Sequence, residues 1–279
     1  MGILALVYVL AIAIFCSSNV NSQGVTLVPA IITFGDSVVD VGNNDYIPTI
    51  FKSNYPPYGR DFKNKEATGR FCNGKLATDI TAETLGFTSF APAYLSPQAS
   101  GKNLLLGANF ASAACNSTVT TVTIFQGVPR EASKGARRIG VTSLPPLGCL
   151  PAARTIFGFH ESGCVSRINT DAQQFNKKIN SAATQLGKQL PGLKVVVFDV
   201  FKPLYDLVAD PKKNGFTEAT KGCCGTGKVE TTSLLCNPKS YGTCSNATQY
   251  VFWDSVHPSQ AANQILADSL IIQGIALIS

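Results

Sequence analysis

The sequence predicts an α/β fold in which a mostly parallel sheet is covered by helices on both faces. Three short runs rich in β-branched residues, at 27–34, 138–144 and 193–200, are bounded by turn residues, as buried parallel strands are. A helical pattern at 168–190 separates the last two runs, and such alternation is typical of βαβ units. A chain of 279 residues is long enough for one such domain with a well-buried core.

The first predicted strand, LVPAIITF, is followed by the sequence GDS, which places a serine just after a buried strand. In open α/β sheets, ligands bind beyond the carboxyl ends of the strands. Ser37 falls in that position, three residues past Phe34. A tight turn and a nucleophile held at the end of the sheet both explain this stretch, so the rest of the chain has to decide between them.

Two segments carry the spacing of amphipathic helices. The apolar residues of the helix at 168–190 recur at intervals of three and four and form one stripe. They are Ile168, Ala172, Phe175, Ile179, Ala182, Leu186 and Leu190. The final segment, from Ser259 onward, repeats this spacing with Ala262, Ile265, Leu266 and Leu270. By contrast, the region 54–101 is rich in Pro, Gly and aromatic residues, and predicts ordered loops and short helices that form a substrate rim.

The N-terminus predicts a signal peptide. An apolar run at residues 3–15 is followed by small and polar residues, with cleavage expected after Ser22. The run is too short to span a bilayer, so we expect no stable membrane insertion. It lacks the usual preceding Lys or Arg, and an uncleaved anchor is the alternative. The expected product is a secreted, extracellular protein, of the medium or the cell wall, with a signal peptide at 1–22 and one domain at 23–279.

The cysteines agree with secretion. Of nine cysteines, only Cys16 lies in the signal peptide, which leaves an even number, as a disulfide framework requires. These are Cys72, Cys115, Cys149, Cys164, Cys223, Cys224, Cys236 and Cys244. Their pairing does not follow from the sequence. A zinc cluster of the last four is the competing interpretation, although no C-x-x-C pair is present.

Two glycosylation acceptors, Asn116 and Asn246, fit the same secretory route. The net charge of +6 is spread along the chain, with Arg137 and Arg138 as the only cluster, so nothing favours a nucleic-acid partner. Two histidines and scattered carboxylates offer no metal-ligand cluster, and no cofactor is expected. The oligomeric state does not follow from the sequence.

A serine nucleophile needs a base to take its proton, and the chain has two histidines. His160 lies among loop residues, with its neighbour Glu161 as the nearest acid. His257 lies in FWDSVHPS, three residues after Asp254 and directly before a proline. In a turn, a D-x-x-H segment folds the carboxylate back onto the ring and leaves the other ring nitrogen for the serine. The alternative is a histidine that merely begins a helix.

Three blocks then occur in order: FGDSVVDVGNN near the mature N-terminus, GANFAS in the middle and FWDSVHPSQAAN near the C-terminus. Together they resemble the plant GDSL esterase/lipase family of the SGNH hydrolase superfamily. The resemblance extends over nearly all of the chain after the signal peptide, including TGRFCNGK, PPLGCLP and GCCGTG.

The resemblance implies a three-layer α/β/α, flavodoxin-like sandwich and ester hydrolysis through an acyl-enzyme. Ser37 would be the nucleophile, His257 the general base and Asp254 its orienting acid. Gly107 would give a backbone N–H to the oxyanion hole, together with the N–H of Ser37. The simpler interpretation of Gly107 is a turn glycine. Asp36, Asp40, Asn43 and Asn44 are expected to shape the loop around Ser37.

The fourth signature of the family is an Asn in a G-x-N-D segment, which follows a central strand and donates to the oxyanion. The only N-D pair here, Asn44-Asp45, belongs to the first block. The segment 111–134 offers little material where the family has a strand, the Asn and long helices. We therefore expect an internal deletion, with one central strand missing or replaced. The stretch 117–125 is β-branched, but 111–116 is too short for an ordinary parallel crossover.

The leading functional hypothesis is a secreted serine esterase that acts on acyl esters of small molecules, lipids or wall polymers. Acyl transfer to a sugar or lipid hydroxyl is an alternative. A second class is a secreted binding protein that keeps the ligand groove and has lost its oxyanion hole. The discriminating feature is a donor that replaces the missing Asn, and Asn109 and Asn116 are the candidates near Gly107.

Overall fold

The structure, a computed structural model, describes residues 26–114, 135–159, 161–231, 235–239 and 242–279. The predicted signal peptide at 1–22, the glycosylation acceptor Asn116 and the stretch 117–125 lie outside the described residues. So do Cys115 and His160.

The described strands form three separate parallel pairs. Strand β1 (Ile31–Thr33) pairs with β2 (Gly107–Asn109), β3 (Arg138–Thr142) with β4 (Lys194–Phe198), and β5 (Glu218–Gly222) with β6 (Tyr250–Phe252). The helices are α1 (Ala77–Thr84), α2 (Pro151–Phe157), α3 (Ser166–Gln189), α4 (Phe201–Ala209) and α5 (Gln260–Ile278). Short 3-10 turns join several of these elements. The α/β class is therefore confirmed, and the strands run parallel as expected.

The three predicted strands are present but shorter than expected. The predicted strands at 138–144 and 193–200 pair in register as β3 and β4, from Arg138 opposite Lys194 to Thr142 opposite Phe198. The predicted burial of the strands is wrong: β1 alternates between exposed and partly buried residues, β3 buries only Val141 fully, and Ile32 is 62% exposed. The reason is that each of these strands has one described partner, so one edge and part of a face lie open.

Three strands were not predicted, because their sequences lack the strand pattern. The GAN of β2 has no β-branched residue, and the EATKG of β5 is mostly polar and small. The YVF of β6 is too short to show an alternation.

The two predicted helices are confirmed. In α3, buried Ala172 and Ile179 lie on the predicted stripe. Asn169 belongs to the same face, and its side-chain oxygen accepts a hydrogen bond from the N–H of Gly148 at 2.8 Å. The polar residue on this face therefore anchors the loop after β3, which hydrophobic spacing alone does not indicate.

Helix α5 begins with a side-chain cap, since the Oγ of Ser259 accepts a hydrogen bond from the N–H of Ala262. By length and composition alone the helix could cross a membrane, with 19 residues and a mean hydropathy of 1.4. Its first half instead packs against α4 and β6, where Ala262 and Leu266 are buried with Phe252. Its second half presents Ile272 and Ile275 to solvent.

Three disulfides lie within the described residues: Cys149–Cys164, Cys223–Cys244 and Cys224–Cys236. The expectation of disulfides is confirmed, and the four cysteines of the zinc alternative are all used in two of these bonds. Cys72 is a buried thiol. The last two disulfides belong to a buried cluster with Tyr58, Phe71 and Trp253. This cluster lies beneath the turn that follows β6.

Candidate active site

The GDS segment forms the turn that follows β1. Asp36 organises it locally, because its carboxylate accepts the N–H of Val38 and its carbonyl accepts the N–H of Asp40. The carboxylate of Asp40 is fully buried and accepts the N–H groups of Gly42 at 2.8 Å and Asn43 at 2.7 Å. Burial raises the pKa of Asp40, and these backbone hydrogen bonds partly offset the increase. The expected loop-forming role of both aspartates is confirmed.

The two asparagines of the first block tie this loop to the segment after β2. The side-chain amide of Asn43 donates to the carbonyl of Ala111 at 2.8 Å, and that of Asn44 donates to the carbonyl of Ala113 at 3.0 Å. The N–H of Ala113 in turn donates to Asp40 at 3.0 Å. Both asparagines are loop-formers, as the sequence predicts.

The turn after β6 brings an acid back onto a histidine. Asp254 accepts the backbone N–H groups of Val256 at 2.8 Å and His257 at 2.7 Å through its Oδ1. The Nδ1 of the His257 ring lies 2.8 Å from Oδ2 of the same carboxylate. The backbone N–H of Trp253 closes the turn by donating to the carbonyl of His257 at 2.8 Å. The D-x-x-H segment thus has the geometry that its spacing predicts.

The other ring nitrogen of His257 faces the serine. Its Nε2 lies 2.7 Å from the Oγ of Ser37, across 220 positions of sequence. The ring is 3% exposed and packs against Phe71, with 5.2 Å between ring centroids, whereas Ser37 is partly open to solvent. A buried imidazole bridging a buried carboxylate and an accessible hydroxyl is the arrangement that activates a serine for nucleophilic attack.

Asp254 is fully buried and remains the acidic member of this arrangement. Burial opposes its ionisation most strongly, but the charge of His257 and the hydrogen bonds from His257 and Val256 outweigh burial and lower the pKa of Asp254. Two further donors reach Oδ2: the hydroxyl of Tyr58 at 2.8 Å and that of Thr231 at 3.0 Å. Sequence reasoning missed both residues, because neither lies in a recognisable block with Asp254.

Gly107 does not lie with these residues. It opens β2 opposite Ile31, at the end of the strand pair away from Ser37. Its N–H donates to the carbonyl of Leu104, and its φ of 105° suits a glycine. A side chain there would collide with the backbone of Ile31. The described geometry therefore does not bring the Gly107 N–H to Ser37, because this glycine is needed where the two strands first meet.

Among the described residues, the backbone N–H of Ser37 has no acceptor. The third candidate donor, Asn109, uses its side-chain amide on the carbonyl of Val39 at 2.7 Å. The amides of Asn43 and Asn44 each donate both hydrogens to backbone carbonyls, whereas Asn109 keeps one amide hydrogen without an acceptor among the described residues, and Asn116 lies outside them. The backbone N–H of Ser37 is the candidate oxyanion donor that lies on the nucleophile itself.

Of the remaining candidates, Asn246 is exposed and begins a 3-10 turn, where its Oδ1 accepts hydrogen bonds from the N–H and the hydroxyl of Thr248. Within the described ranges, no group of three His, Cys, Asp or Glu side chains is placed to hold a metal ion.

Comparison with known proteins agrees with this arrangement. The family model described as GDSL-like lipase/acylhydrolase matches residues 116–270. The GDSL esterase/lipase APG of Arabidopsis thaliana is 57% identical over 90% of this chain and 92% of its own length. The GDSL esterase/lipases At5g22810 and At3g53100 of the same plant are 48% and 41% identical, over 91% and 98% of this chain and 91% and 97% of their own lengths. The chain therefore belongs to the GDSL esterase/lipase family.

Proposed function

We propose that this protein is a secreted serine hydrolase that cleaves carboxylic ester bonds through an acyl-enzyme on Ser37. One observation carries the proposal: the hydrogen-bonded chain from Asp254 Oδ2 to His257 Nδ1 at 2.8 Å, and from His257 Nε2 to Ser37 Oγ at 2.7 Å. Membership of a family of esterases and lipases supports the same reaction.

In the proposed reaction, the Oγ of Ser37 attacks the ester carbonyl while Nε2 of His257 takes the hydroxyl proton. Collapse of the tetrahedral intermediate breaks the bond to the alcohol, which leaves with that proton. A water molecule then gives a proton to Nε2 and attacks the acyl carbonyl. Collapse of this second intermediate breaks the bond to Oγ, Nε2 returns the proton to Oγ, and the acid leaves. Asp254 keeps the Nδ1 proton in place and stabilises the imidazolium throughout.

The oxyanion is proposed to bind the N–H of Ser37. The absence of the Asn donor that the family resemblance implies would lower turnover by roughly 10²–10³-fold, which leaves a slow enzyme rather than none. The alignment with the 57% identical relative has 326 positions, more than the 279 residues of this chain, which supports an internal deletion. We place this deletion after β2, in a three-layer α/β/α sandwich with one central strand missing or replaced.

Secretion is proposed from the signal peptide at 1–22 and is supported by three disulfides and by the exposed acceptor Asn246. The proposed substrates are acyl esters of small molecules, lipids or wall polymers. A partly open serine beside a buried base is compatible with all three, and we expect neither a nucleic-acid partner nor stable membrane insertion.

A catalytically impaired binding protein is the second candidate, and a specific observation favours it. The side-chain amides of Asn43 and Asn44 donate both hydrogens to backbone carbonyls, so neither replaces the missing oxyanion donor, and the amide of Asn109 is tied to the carbonyl of Val39. Such a protein would bind an ester in the same groove and release it unchanged.

The test is hydrolysis of p-nitrophenyl acetate and butyrate by the purified secreted protein, with Ser37→Ala as the control. Activity that this substitution abolishes supports the esterase. A folded protein, shown by a cooperative melt, with no activity above the Ser37→Ala background would contradict the esterase and favour the binding protein.

A further inference from the structure

The carboxylate of Asp254 has donors from three parts of the chain. Its Oδ1 accepts two backbone N–H groups of its own turn. Its Oδ2 accepts the hydroxyls of Tyr58 and Thr231 and lies 2.8 Å from the His257 ring. The two hydroxyls come from segments far apart in sequence. Their convergence on one oxygen atom therefore depends on the packing of the whole site.

Aromatic packing holds the ring of Tyr58 in place, so that its hydroxyl lies against the carboxylate of Asp254. Its side chain is 1% exposed and makes edge-on contacts with the rings of Phe71 and Trp253, at centroid distances of 6.1 and 6.2 Å. Phe71 in turn packs on the ring of His257. A single aromatic cluster thus holds both the phenol that donates to Asp254 and the imidazole that binds it.

Thr231 is held in place by a disulfide-closed loop. It lies in the loop between Cys224 and Cys236, which a disulfide closes. The loop is joined to the Asp254 turn by the N–H of Ser255, which donates to the carbonyl of Glu230 at 2.9 Å. The carboxylate of Glu230 stiffens the loop by accepting the N–H groups of Thr226 and Lys228 at 3.0 Å each.

The electrostatic consequence falls on His257. Each hydroxyl that donates to a carboxylate draws off part of its negative charge and fixes the direction of its lone pairs. Without these donors, a buried carboxylate would hold the imidazolium more tightly and in a less defined orientation. Two other ionisable groups, Cys72 and Arg60, lie near this site. Burial raises the pKa of the Cys72 thiol to about 12, and the Arg60 guanidinium lies on the ring of Trp253, 5.0 Å from its centroid.

From these contacts we infer that Tyr58 and Thr231 are positioning residues, which set the orientation and the basicity of His257 through Asp254. The inference rests on the proposed function, since it assigns these hydroxyls a part in the same serine hydrolysis. Neither residue touches the reacting atoms.

The test compares the pH dependence of p-nitrophenyl butyrate hydrolysis in the full-length parent, Tyr58→Phe and Thr231→Val. Both substitutions keep the shape of the side chain and remove its hydroxyl. We expect kcat to fall by about tenfold in each, because a hydrogen bond to a charged group is lost. We also expect the acidic limb of the profile to move to higher pH by about half a unit, because the less compensated carboxylate favours the imidazolium.

Tyr55→Phe is the matched control. The ring of Tyr55 packs edge-on against that of Tyr58 at 5.9 Å, but its hydroxyl donates to the carbonyl of Lys52 and not to Asp254. This variant should keep the parent pH profile. The inference is overturned if Tyr58→Phe and Thr231→Val have the parent profile, or if Tyr55→Phe shifts it equally.

A readout independent of turnover separates this inference from the proposed function. An Asp–His hydrogen bond gives a far-downfield N–H proton in the ¹H NMR spectrum, which His257→Gln assigns by its loss. The signal should change position in Tyr58→Phe and Thr231→Val and stay in place in Tyr55→Phe. If the parent shows the signal but no hydrolysis, the proposed function fails, and the position of the signal in Tyr58→Phe and Thr231→Val still decides whether the two hydroxyls orient His257. A signal unmoved in both test variants contradicts the positioning role, whatever the activity.

Discussion

The acid–base half of the candidate site and its nucleophile half are built very differently. Asp254 and His257 are buried in a turn between β6 and α5, above an aromatic cluster that contains two disulfides. Ser37 lies in the turn after β1, a three-residue strand with one described partner. Ile32 of this strand and Phe34 directly after it are exposed. The base is therefore held by dense packing, whereas the nucleophile lies between an exposed strand end and a buried loop that begins at Asp40.

This difference suits the site to proton transfer more than to stabilisation of the oxyanion. In the proposed reaction, proton transfer depends on Asp254 and His257, which hydrogen bonds from described residues hold in place. Stabilisation of the oxyanion depends on what lies beside Ser37, whose backbone N–H has no acceptor among the described residues. A serine that is activated but poorly supported in the transition state is expected to acylate slowly.

Asp254→Asn should lower ester hydrolysis by about 10³–10⁴-fold, because an amide at this position can donate to Nδ1 and favours the wrong tautomer of His257. The measurement is kcat/KM for p-nitrophenyl butyrate, with the melting temperature as a check on folding. A loss of less than tenfold would mean that the acid–base half contributes little, and would remove the contrast between the two halves.

The same substitution in each half should have unequal effects on stability. Phe252→Ala removes a fully buried ring beside the Asp254 turn and should lower the free energy of unfolding by about 3–5 kcal/mol. Phe34→Ala removes a ring that is 54% exposed and stacks on Phe110, and should lower it by at most about 1 kcal/mol. Urea denaturation gives both values, and equal losses would contradict the difference in packing.

Removal of either of two disulfides should lower the free energy of unfolding by about 2–4 kcal/mol, but one removal should reduce activity more than the other. The double substitution of Cys224 and Cys236 by Ser frees the loop that carries Thr231 and should also reduce kcat. The Cys149–Cys164 disulfide lies beside Ala152, whose N–H donates to the carbonyl of Ser255 at 2.9 Å, but its loop supplies no donor to the carboxylate of Asp254. The corresponding double substitution there should therefore reduce kcat less than that at Cys224 and Cys236. Thermal melts and initial rates on the four proteins, including the parent and Ser37→Ala, test this. A kcat loss of the same size in both disulfide variants would contradict the prediction.

The smallest effect concerns Asp45, in the loop after Ser37. Burial and the charge of Asp40 raise the pKa of Asp45 from 3.8 to about 6, and its Oδ1 has no partner among the described residues. A raised carboxyl pKa means that the folded state binds the proton more tightly, so stability should fall as the pH rises from 3.8 to about 6. Asp45→Asn should remove this dependence and stabilise the protein at pH 7 by at most about 1 kcal/mol. Melts at pH 4 and pH 7 measure it, and the same pH dependence in both proteins would contradict it.

The features that sequence predicted are local ones. The position of Ser37 after a strand and the return of Asp254 onto His257 each depend on a few adjacent residues, and the structure has both geometries. The stripe of α3 follows from helical spacing in the same way. Local patterns were sufficient because backbone geometry alone determines these relations.

The features that could not be predicted from the sequence depend on strand register and on side-chain packing. Gly107 resembles an oxyanion donor in its motif, but the pairing of β2 with β1 places it at the far end of the strands. Tyr58 and Thr231 reach Asp254 only because an aromatic cluster and a disulfide-closed loop bring them together. The exposure of Ile32 likewise depends on which strands and helices cover β1, which no short pattern reports.

We propose that His257 activates Ser37 without the Asn donor that the family resemblance implies. Covalent labelling of the purified protein with a fluorophosphonate, followed by mass spectrometry of its peptides, tests this activation. We expect one label, on the peptide that contains Ser37, and its loss in His257→Gln. Folded protein that takes up no label, or takes it up equally in His257→Gln, would show that His257 does not activate Ser37.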